Sequence, residues 1–328
     1  MTREGTLARV AGAATAAALG LVWAAARGES RPLRLAVISQ SASNWPLYVA
    51  QAKGFFAAEG LEVELVVTRS SARQLEALAR GDFDVGHQAA DHVIRAVEQG
   101  SDLFIVMALN RPVFSLVVAP AVRSFDDLRG RTLAVDGART GYALLLKRIL
   151  AARGLEEGTD YTLKEVGGTN ERYEALRSGA AAAALVNQPF DRKLFAEGFR
   201  SLGSTADAFP HYQGSVAATR RAFAARNEAT LVRYIRAYVK ASAWLFDRSH
   251  RQEAIEILLD RVALDRAQAE ATYEEALGKA LIPRAAVNLD GLRQVVEVVW
   301  EAEGFAPPPA PPEKYVDLDY YRKATADL

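Results

Sequence analysis

Short polar stretches follow several apolar runs in this sequence, and they hold the side chains that could do chemistry. Hydroxyl, amide and imidazole groups dominate them, and such groups donate and accept hydrogen bonds to small polar molecules. The first stretch follows the apolar run 33–39, and the second follows the run 83–86. The candidate contacts in these two stretches are Ser41, Ser43, Asn44, Trp45, His87, Gln88 and Asp91.

Each of these side chains also has an ordinary structural interpretation. Ser43 and Asn44 could cap a helix, and Trp45 could pack in the core instead of stacking on a ligand. His87 could hydrogen-bond the backbone, and Asp91 could be a first-turn carboxylate that the helix dipole favours. The sequence leaves these alternatives open.

Two later polar stretches follow the apolar runs 132–135 and 180–186. Small residues in the first of them let the backbone approach a ligand closely, although a Thr-Gly step is also an ordinary helix cap. Arg139 could neutralise an acidic ligand or form an ion pair, and Tyr212 could reach a ligand or pack locally. The candidates in this part of the chain are Arg139, Thr140, Gly141, Tyr142, Asn187, Gln188 and Tyr212.

Composition excludes several classes of function. The chain has no cysteine and only four histidines, so thiolate zinc sites and cysteine nucleophiles are absent. The sequence has no Walker loop, zinc-helix motif or Gly-x-Ser-x-Gly elbow. We therefore predict no catalytic residues, no metal and no cofactor. Because 40 basic residues balance 40 acidic ones, charge gives no reason to expect nucleic acid as a partner.

The first thirty residues have the pattern of a secretory signal peptide. Arg3 and Arg9 precede an apolar run over residues 10–26, and small residues precede the polar stretch 27–30. We predict export to the periplasm with the signal at residues 1–30. The alternatives are an uncleaved segment that anchors the protein to the membrane, or an alanine-rich tail.

Alternating strand and helix patterns predict the elements that position the polar stretches. Apolar runs of strand length alternate with helical periodicity and terminal glycines through residue 198, which is typical of a doubly wound α/β architecture. After about residue 215 four helical segments dominate. Residues 306–312 are rich in proline and predict an extended linker, followed by a tail that packs back on the body.

Three segments carry a resemblance to a known family. They are residues 45–65, beginning Trp-Pro-Leu-Tyr, residues 78–86, ending Gly-Asp-Phe-Asp-Val-Gly, and residues 124–135, beginning Ser-Phe-Asp-Asp-Leu. In this order and spacing they resemble the ABC-transporter solute-binding proteins for nitrate, aliphatic sulfonates, taurine and thiamine-precursor pyrimidines. The likeness extends from about residue 32 to residue 243.

The resemblance implies the type II periplasmic binding protein fold, with two α/β lobes, two hinge crossovers and a ligand in the cleft between them. Lobe 1 would comprise residues 31–118 and the helical part 211–328, and lobe 2 residues 119–210. The crossovers would be 114–118 and 211–218, the second of which includes Tyr212. Thr140 matches a small hydroxyl residue that holds a polar ligand head together with following N–H groups. Asn187 and Gln188 depart from the aromatic or acidic residue that the family often has before Pro-Phe.

The function that this resemblance implies is solute capture for an ABC importer. A monomer would close its lobes around a small organic molecule and deliver it to a membrane permease. A ligand sensor that signals to a membrane partner is the alternative. Enzymatic relatives of the pyrimidine-precursor and desulfinase types depend on cysteines that this chain lacks.

Overall fold

The computed structural model describes residues 31–328, so the predicted signal peptide lies outside the described residues. Ten strands form two five-stranded sheets, and apolar residues dominate the central strands of both. The strands are β1 (Leu33–Val37), β2 (Val63–Val67), β3 (Val85–Ala89), β4 (Leu103–Ala108), β5 (Phe114–Val118), β6 (Arg131–Val135), β7 (Tyr161–Glu165), β8 (Ala183–Asn187), β9 (Arg200–Ser204) and β10 (Ser215–Arg220).

Helices cover both sheets, and five of the α-helices in residues 31–328 directly follow a Ser, Thr, Asp or Asn whose side chain accepts a hydrogen bond from the first turn. Short 3-10 or π segments occupy Ala42–Asn44, Asp126–Leu128, Arg248–His250, Ala276–Ala280, Pro283–Ala285 and Pro312–Tyr315. The α-helices are α1 (Trp45–Ala52), α2 (Phe55–Ala58), α3 (Ser71–Arg80), α4 (Ala90–Glu98), α5 (Gly141–Ala151), α6 (Thr169–Arg177), α7 (Phe190–Ala196), α8 (Thr205–Ala208), α9 (Arg221–Arg226), α10 (Glu228–Phe246), α11 (Arg251–Leu259), α12 (Arg266–Glu275), α13 (Leu289–Glu303) and α14 (Asp319–Thr325).

The two sheets share one topology. The first has the order β2-β1-β3-β10-β4, and the second has the order β7-β6-β8-β5-β9. In each sheet one strand, β10 or β5, runs antiparallel to both of its neighbours, while three of the other four strands pair in parallel with one another. We call the half built on the first sheet the first lobe and the half built on the second sheet the second lobe. The predicted fold class, two doubly wound lobes, is confirmed.

At both crossovers the chain changes sheets slightly earlier than the sequence predicted. All five residues of β5 pair with β8, so 114–118 is a strand of the second sheet and not the end of lobe 1. Residues 215–220 form β10 of the first sheet. The crossovers are therefore the segments 109–113 and 209–214. An apolar strand is buried in either sheet, so its hydropathy does not indicate which sheet it joins.

The second polar stretch differs most from the prediction. The sequence placed residues 87–89 in a loop after a strand, whereas they form the end of β3. All five residues of β3 are buried, and the strand pairs with β1 and β10 on its two sides. The polar residues His87 and Gln88 made the end of this central strand resemble a loop in the sequence.

The C-terminal tail packs on the first lobe, as predicted. Tyr315 is fully buried and its hydroxyl donates to the Glu98 carboxylate at 2.7 Å. Helix α14 packs on α10, the longest helix of the first lobe. Across residues 31–328, every helix is too short or too polar to cross a membrane.

Candidate functional site

A cleft of about 900 Å³, including its open mouth, lies between the two sheets. The first lobe contributes the segment after β1 and a residue of β3, and the second lobe contributes the segments after β6, β7 and β8. The first crossover contributes Asn110, Arg111 and Val113, and β10 contributes its first residue, Ser215. The polar residues that line the cleft are Ser39, Ser41, Ser43, Asn44, His87, Asn110, Arg111, Asp136, Thr169, Arg172, Asn187, Gln188, Ser215 and Glu275.

Direct hydrogen bonds join the two lobes beside this cleft. The Asn187 side-chain amide donates to the Ser43 hydroxyl at 2.9 Å. Tyr142 and Ser215 share a hydrogen bond between their hydroxyl oxygens, which are 3.3 Å apart. The Ser71 hydroxyl donates to the Asp136 carboxylate at 3.3 Å. The structure is therefore a closed form, in which the lobes contact each other around an internal space.

His87 reaches the cleft from the middle of the first sheet and is held on both sides of its ring. Its Nδ1 lies 3.1 Å from the Asn44 side-chain oxygen, and its Nε2 lies 2.7 Å from the Tyr234 hydroxyl. The Asn44 amide nitrogen donates to the Ser39 carbonyl, so its oxygen accepts from His87 and the tyrosine hydroxyl donates to Nε2. Burial lowers the pKa of His87 to about 3, which keeps the ring neutral.

Arg172, on helix α6, is a cleft residue that sequence reasoning missed. Its guanidinium is buried and donates to the Leu185 carbonyl, the Gly167 carbonyl and the Thr169 hydroxyl. Burial lowers the pKa of Arg172, and the Asp136 carboxylate, 4.0 Å away, opposes that shift. Helix α6 is polar along most of its length, so the sequence offered no signal to separate this arginine from solvent-facing ones.

The family model described as NMT1/THI5 like matches residues 42–252, which is more than half of the chain. The chain belongs to the NMT1/THI5-like family.

Three known proteins show how this NMT1/THI5-like chain relates to others. It is 27% identical over 237 residues to the bicarbonate transport ATP-binding protein CmpC of Synechocystis sp., with 66% of this chain and 35% of CmpC covered. It is 27% identical over 135 residues to the 4-amino-5-hydroxymethyl-2-methylpyrimidine phosphate synthase of Uromyces fabae, with 41% and 36% covered. The chain thus spans about a third of the length of both curated relatives.

A solved structure shows the same fold. The periplasmic nitrate-binding protein NrtA from Synechocystis PCC 6803 matches with a TM-score of 0.76 at 16% identity, covering 92% of this chain and 89% of NrtA.

In this NMT1/THI5-like chain, Trp45 is a core residue and not the predicted cleft residue. It is fully buried, its ring packs edge-on against Tyr273 with centroids 5.7 Å apart, and its Nε1 donates to the Ala254 carbonyl. Trp45 begins helix α1, and its side chain points to the helical part of the first lobe. Neighbouring Ser43 and Asn44 line the cleft. One or two positions along the chain therefore separate a side chain that faces the cleft from one that packs in the core.

Gln88 is also structural. It is fully buried in β3, where its side-chain oxygen accepts from the Gln74 amide at 2.7 Å and its nitrogen donates to the Ser71 carbonyl at 3.1 Å. These bonds fix helix α3 to the sheet. Successive side chains of a strand point to opposite faces, so only one of His87 and Gln88 can reach the cleft.

In the polar stretch after β6, Arg139 and Gly141 contact the first lobe, whereas Asp136 and Tyr142 line the cleft. The Thr140 hydroxyl caps helix α5 by accepting from the Ala143 N–H at 3.3 Å and donates to Asp136 at 2.6 Å. Arg139 forms an ion pair with Glu303 of the first lobe. This supports the ion-pair alternative for Arg139 and the capping alternative for Thr140.

Asp91 and Gly141 form the tightest contact of this loop. The Gly141 N–H donates to the Asp91 carboxylate at 2.6 Å, and that carboxylate is almost completely buried. A Cβ atom on residue 141 would lie 2.5 Å from the Asp91 carboxyl carbon, so the approach requires glycine. The predicted first-turn position of Asp91 on α4 is correct, but the N-terminus that its charge contacts across the lobes is that of α5.

Tyr212 is buried in the second crossover beside the cores of the first lobe and lies behind the cleft wall. Burial raises the pKa of its hydroxyl well above the usual range. The remaining predicted residues all line the cleft; they are Ser41, Ser43, Asn44, His87, Tyr142, Asn187 and Gln188. Among residues 31–328 no cluster of three or more histidine, aspartate or glutamate side chains is placed to bind a metal ion.

Proposed function

We propose that this chain is the solute-binding component of an ABC importer. It captures a small organic molecule between its lobes in the periplasm and, as a monomer, delivers it to a membrane permease. The observation that carries this proposal is the closed cleft, whose polar lining comes from both lobes and the first crossover. The names of CmpC and NrtA, a bicarbonate transport protein and a nitrate-binding protein, support a transport role.

Hinge closure is the proposed mechanism. Ser43 and His87 belong to the first lobe, while Asn187 and Arg172 belong to the second, so a guest in the cleft touches both halves. A ligand shifts an equilibrium by its differential affinity for the two states. The closed state is therefore favoured because it alone presents both sets of groups at once.

Catalysis is not part of the proposal, although one curated relative is a pyrimidine phosphate synthase. The enzymatic relatives considered from sequence depend on cysteine chemistry, and this chain has no cysteine. Three charged groups of the cleft, moreover, have ion-pair partners in the protein, Arg172 with Asp136 and Glu275 with Arg192.

A thermal-shift screen tests the proposal. The solutes are bicarbonate, nitrate, taurine, alkanesulfonates, pyrimidines, and aromatic carboxylates and carboxamides. At least one should raise the melting temperature, and calorimetry should then give one site per chain. Ser43→Trp, which fills the cleft, should abolish the shift, and Ser201→Trp on the exposed edge strand β9 should preserve it. A shift that survives Ser43→Trp places the solute elsewhere and contradicts the proposal, as does a screen without a single binder.

A further inference from the structure

Gln188 has a buried amide that the protein leaves without hydrogen bonds. It lies between β8 and α7, lines the cleft, and is 7% exposed. Neither its side-chain nitrogen nor its oxygen has a hydrogen-bond partner among the described residues. Buried polar groups are almost always paired, because leaving one unpaired costs free energy. Because Gln188 lines the cleft, the partner that its amide lacks in the protein is assigned to the guest.

The chemistry of an amide restricts that partner. A glutamine side chain offers an acceptor oxygen and two donor hydrogens on neighbouring atoms, whichever way the group is turned. A guest that satisfies both must carry a donor and an acceptor side by side, as carboxamides, lactams and imides do. Nitrate, sulfonates and carboxylates carry acceptors alone, and would leave the Gln188 oxygen facing another oxygen.

The charges of the cleft are consistent with an uncharged guest. The buried Arg172 guanidinium donates three hydrogen bonds to the protein and has Asp136 4.0 Å away. Glu275 forms an ion pair with Arg192. Arg111 has no carboxylate within ion-pair distance among residues 31–328, but it is exposed at the first crossover, where solvent screens its charge. Apart from the exposed Arg111, the arginine and carboxylate side chains that line the cleft are thus already paired within the protein.

Apolar walls complete the description of the guest. The rings of Phe114 and Tyr142 both line the cleft, with centroids 4.4 Å apart, and Ile38 and Val113 line it as well. Aromatic and aliphatic walls bury a flat or cyclic body, while a few placed polar groups fix its orientation.

From these observations we infer that the cleft selects uncharged cyclic or aromatic amides, and that Gln188 is the specificity-determining residue that pairs with their amide edge. The inference rests on the proposed function and adds the ligand class to it.

Matched pairs of solutes test this inference on the full chain. Nicotinamide is compared with nicotinate, and benzamide with benzoate, at equal concentration by calorimetry and thermal shift. Each pair keeps the ring and exchanges the amide for a carboxylate. We expect the amide of at least one pair to bind at millimolar concentration or below, about tenfold or more tightly than its acid.

Variants of Gln188 then test whether this residue causes the preference for amides over acids. Gln188→Glu keeps the shape but removes the donors, and Gln188→Met removes both polar functions. Each should weaken amide binding by about ten- to a hundredfold, and Gln188→Glu should abolish the preference for amide over acid. Gln99→Glu, the same exchange at an exposed residue outside the cleft, should leave binding unchanged.

Three outcomes overturn the inference. They are binding of acids in preference to amides, no amide binding at millimolar concentration, and an amide affinity that Gln188→Glu leaves unchanged. If nitrate or a sulfonate binds in the cleft while the amides do not, the inference fails and solute capture stands. If no solute of any class binds, both fail.

Discussion

Asp91→Asn should weaken lobe closure, because the Asp91 carboxylate on α4 of the first lobe accepts from the first N–H of α5 in the second lobe. The bond is 2.6 Å long, and the carboxylate is 2% exposed. Arg95, one turn away on the same helix, lies 3.4 Å from the carboxylate, so this ion pair is within the first lobe. The hydrogen bond from Gly141 joins the carboxylate to the second lobe.

The expected loss of closed-state stability follows from which interactions of the Asp91 carboxylate an asparagine keeps and which it loses. Its side-chain oxygen can still accept from the Gly141 N–H, so the hydrogen bond survives in neutral form. The charge is lost, and a carboxylate at a partly buried helix N-terminus contributes up to about 2 kcal/mol. A charge-assisted bond is also roughly twice as strong as a neutral one. We expect the closed form to lose about 1–2 kcal/mol, which corresponds to an affinity about 5- to 30-fold weaker.

Calorimetry with the tightest solute from the screen measures this loss, and a distance measurement between the lobes reports the closed population without ligand. Asp290→Asn is the matched control, since Asp290 occupies the first turn of α13 but is exposed and pairs only with Arg293 nearby. Exposed pairs of this kind contribute little. If Asp91→Asn changes neither affinity nor the interlobe distance, closure does not depend on this contact and our reasoning is wrong.

Two further predictions concern stability. The folded pKa of His87, about 3, lies below its unfolded value of 6.5, so the unfolded chain binds the extra proton first and stability should fall by about 1.4 kcal/mol per pH unit below pH 6.5. Asp191, whose pKa burial raises to about 6, acts in the opposite direction but equally in both proteins. In urea unfolding, the stability of wild type should therefore fall relative to that of His87→Gln by about 1.4 kcal/mol per pH unit below pH 6.5. Equal slopes would show that His87 does not titrate as described. Gly291→Ala should destabilise the fold by about 1–3 kcal/mol, because the added Cβ would lie 2.2 Å from a backbone carbonyl oxygen of the second crossover. Gly278→Ala is the control, since a Cβ at residue 278 has no atom within 4 Å and should be tolerated. Equal unfolding midpoints for the two alanine variants would contradict the packing described here.

The sequence was most informative where apolar runs end at glycine or at polar caps. The segment 114–118 has the bounds of β5, the run 132–135 lies within β6, and the run 180–186 overlaps β8. These patterns record burial of a strand or of one helix face, which is a local property of the chain. Such patterns do not indicate which sheet an apolar strand joins. The sequence therefore placed residues 114–118 at the end of lobe 1, whereas they form β5 of the second sheet.

Side-chain direction was the harder problem at the site. Ser43 and Trp45 are two residues apart, yet one lines the cleft and the other fills the core. Arg172 lies on a polar helix and became a cleft residue only because α6 starts at the edge where the second lobe faces the first. Glu303, which pairs with Arg139, is 164 residues away from it in sequence. Contacts between lobes depend on tertiary placement, which residue patterns do not encode.

The distance between the two lobes tests the central claim most directly. The chain has no cysteine, so Glu76→Cys on α3 and Glu174→Cys on α6, both exposed, give two unique sites for spin labels on opposite lobes. Pulsed electron paramagnetic resonance then records the distance distribution with and without a saturating solute from the screen. We predict a longer or broader distribution without solute and a single short distance with it. An identical distribution in both conditions would contradict closure around a guest.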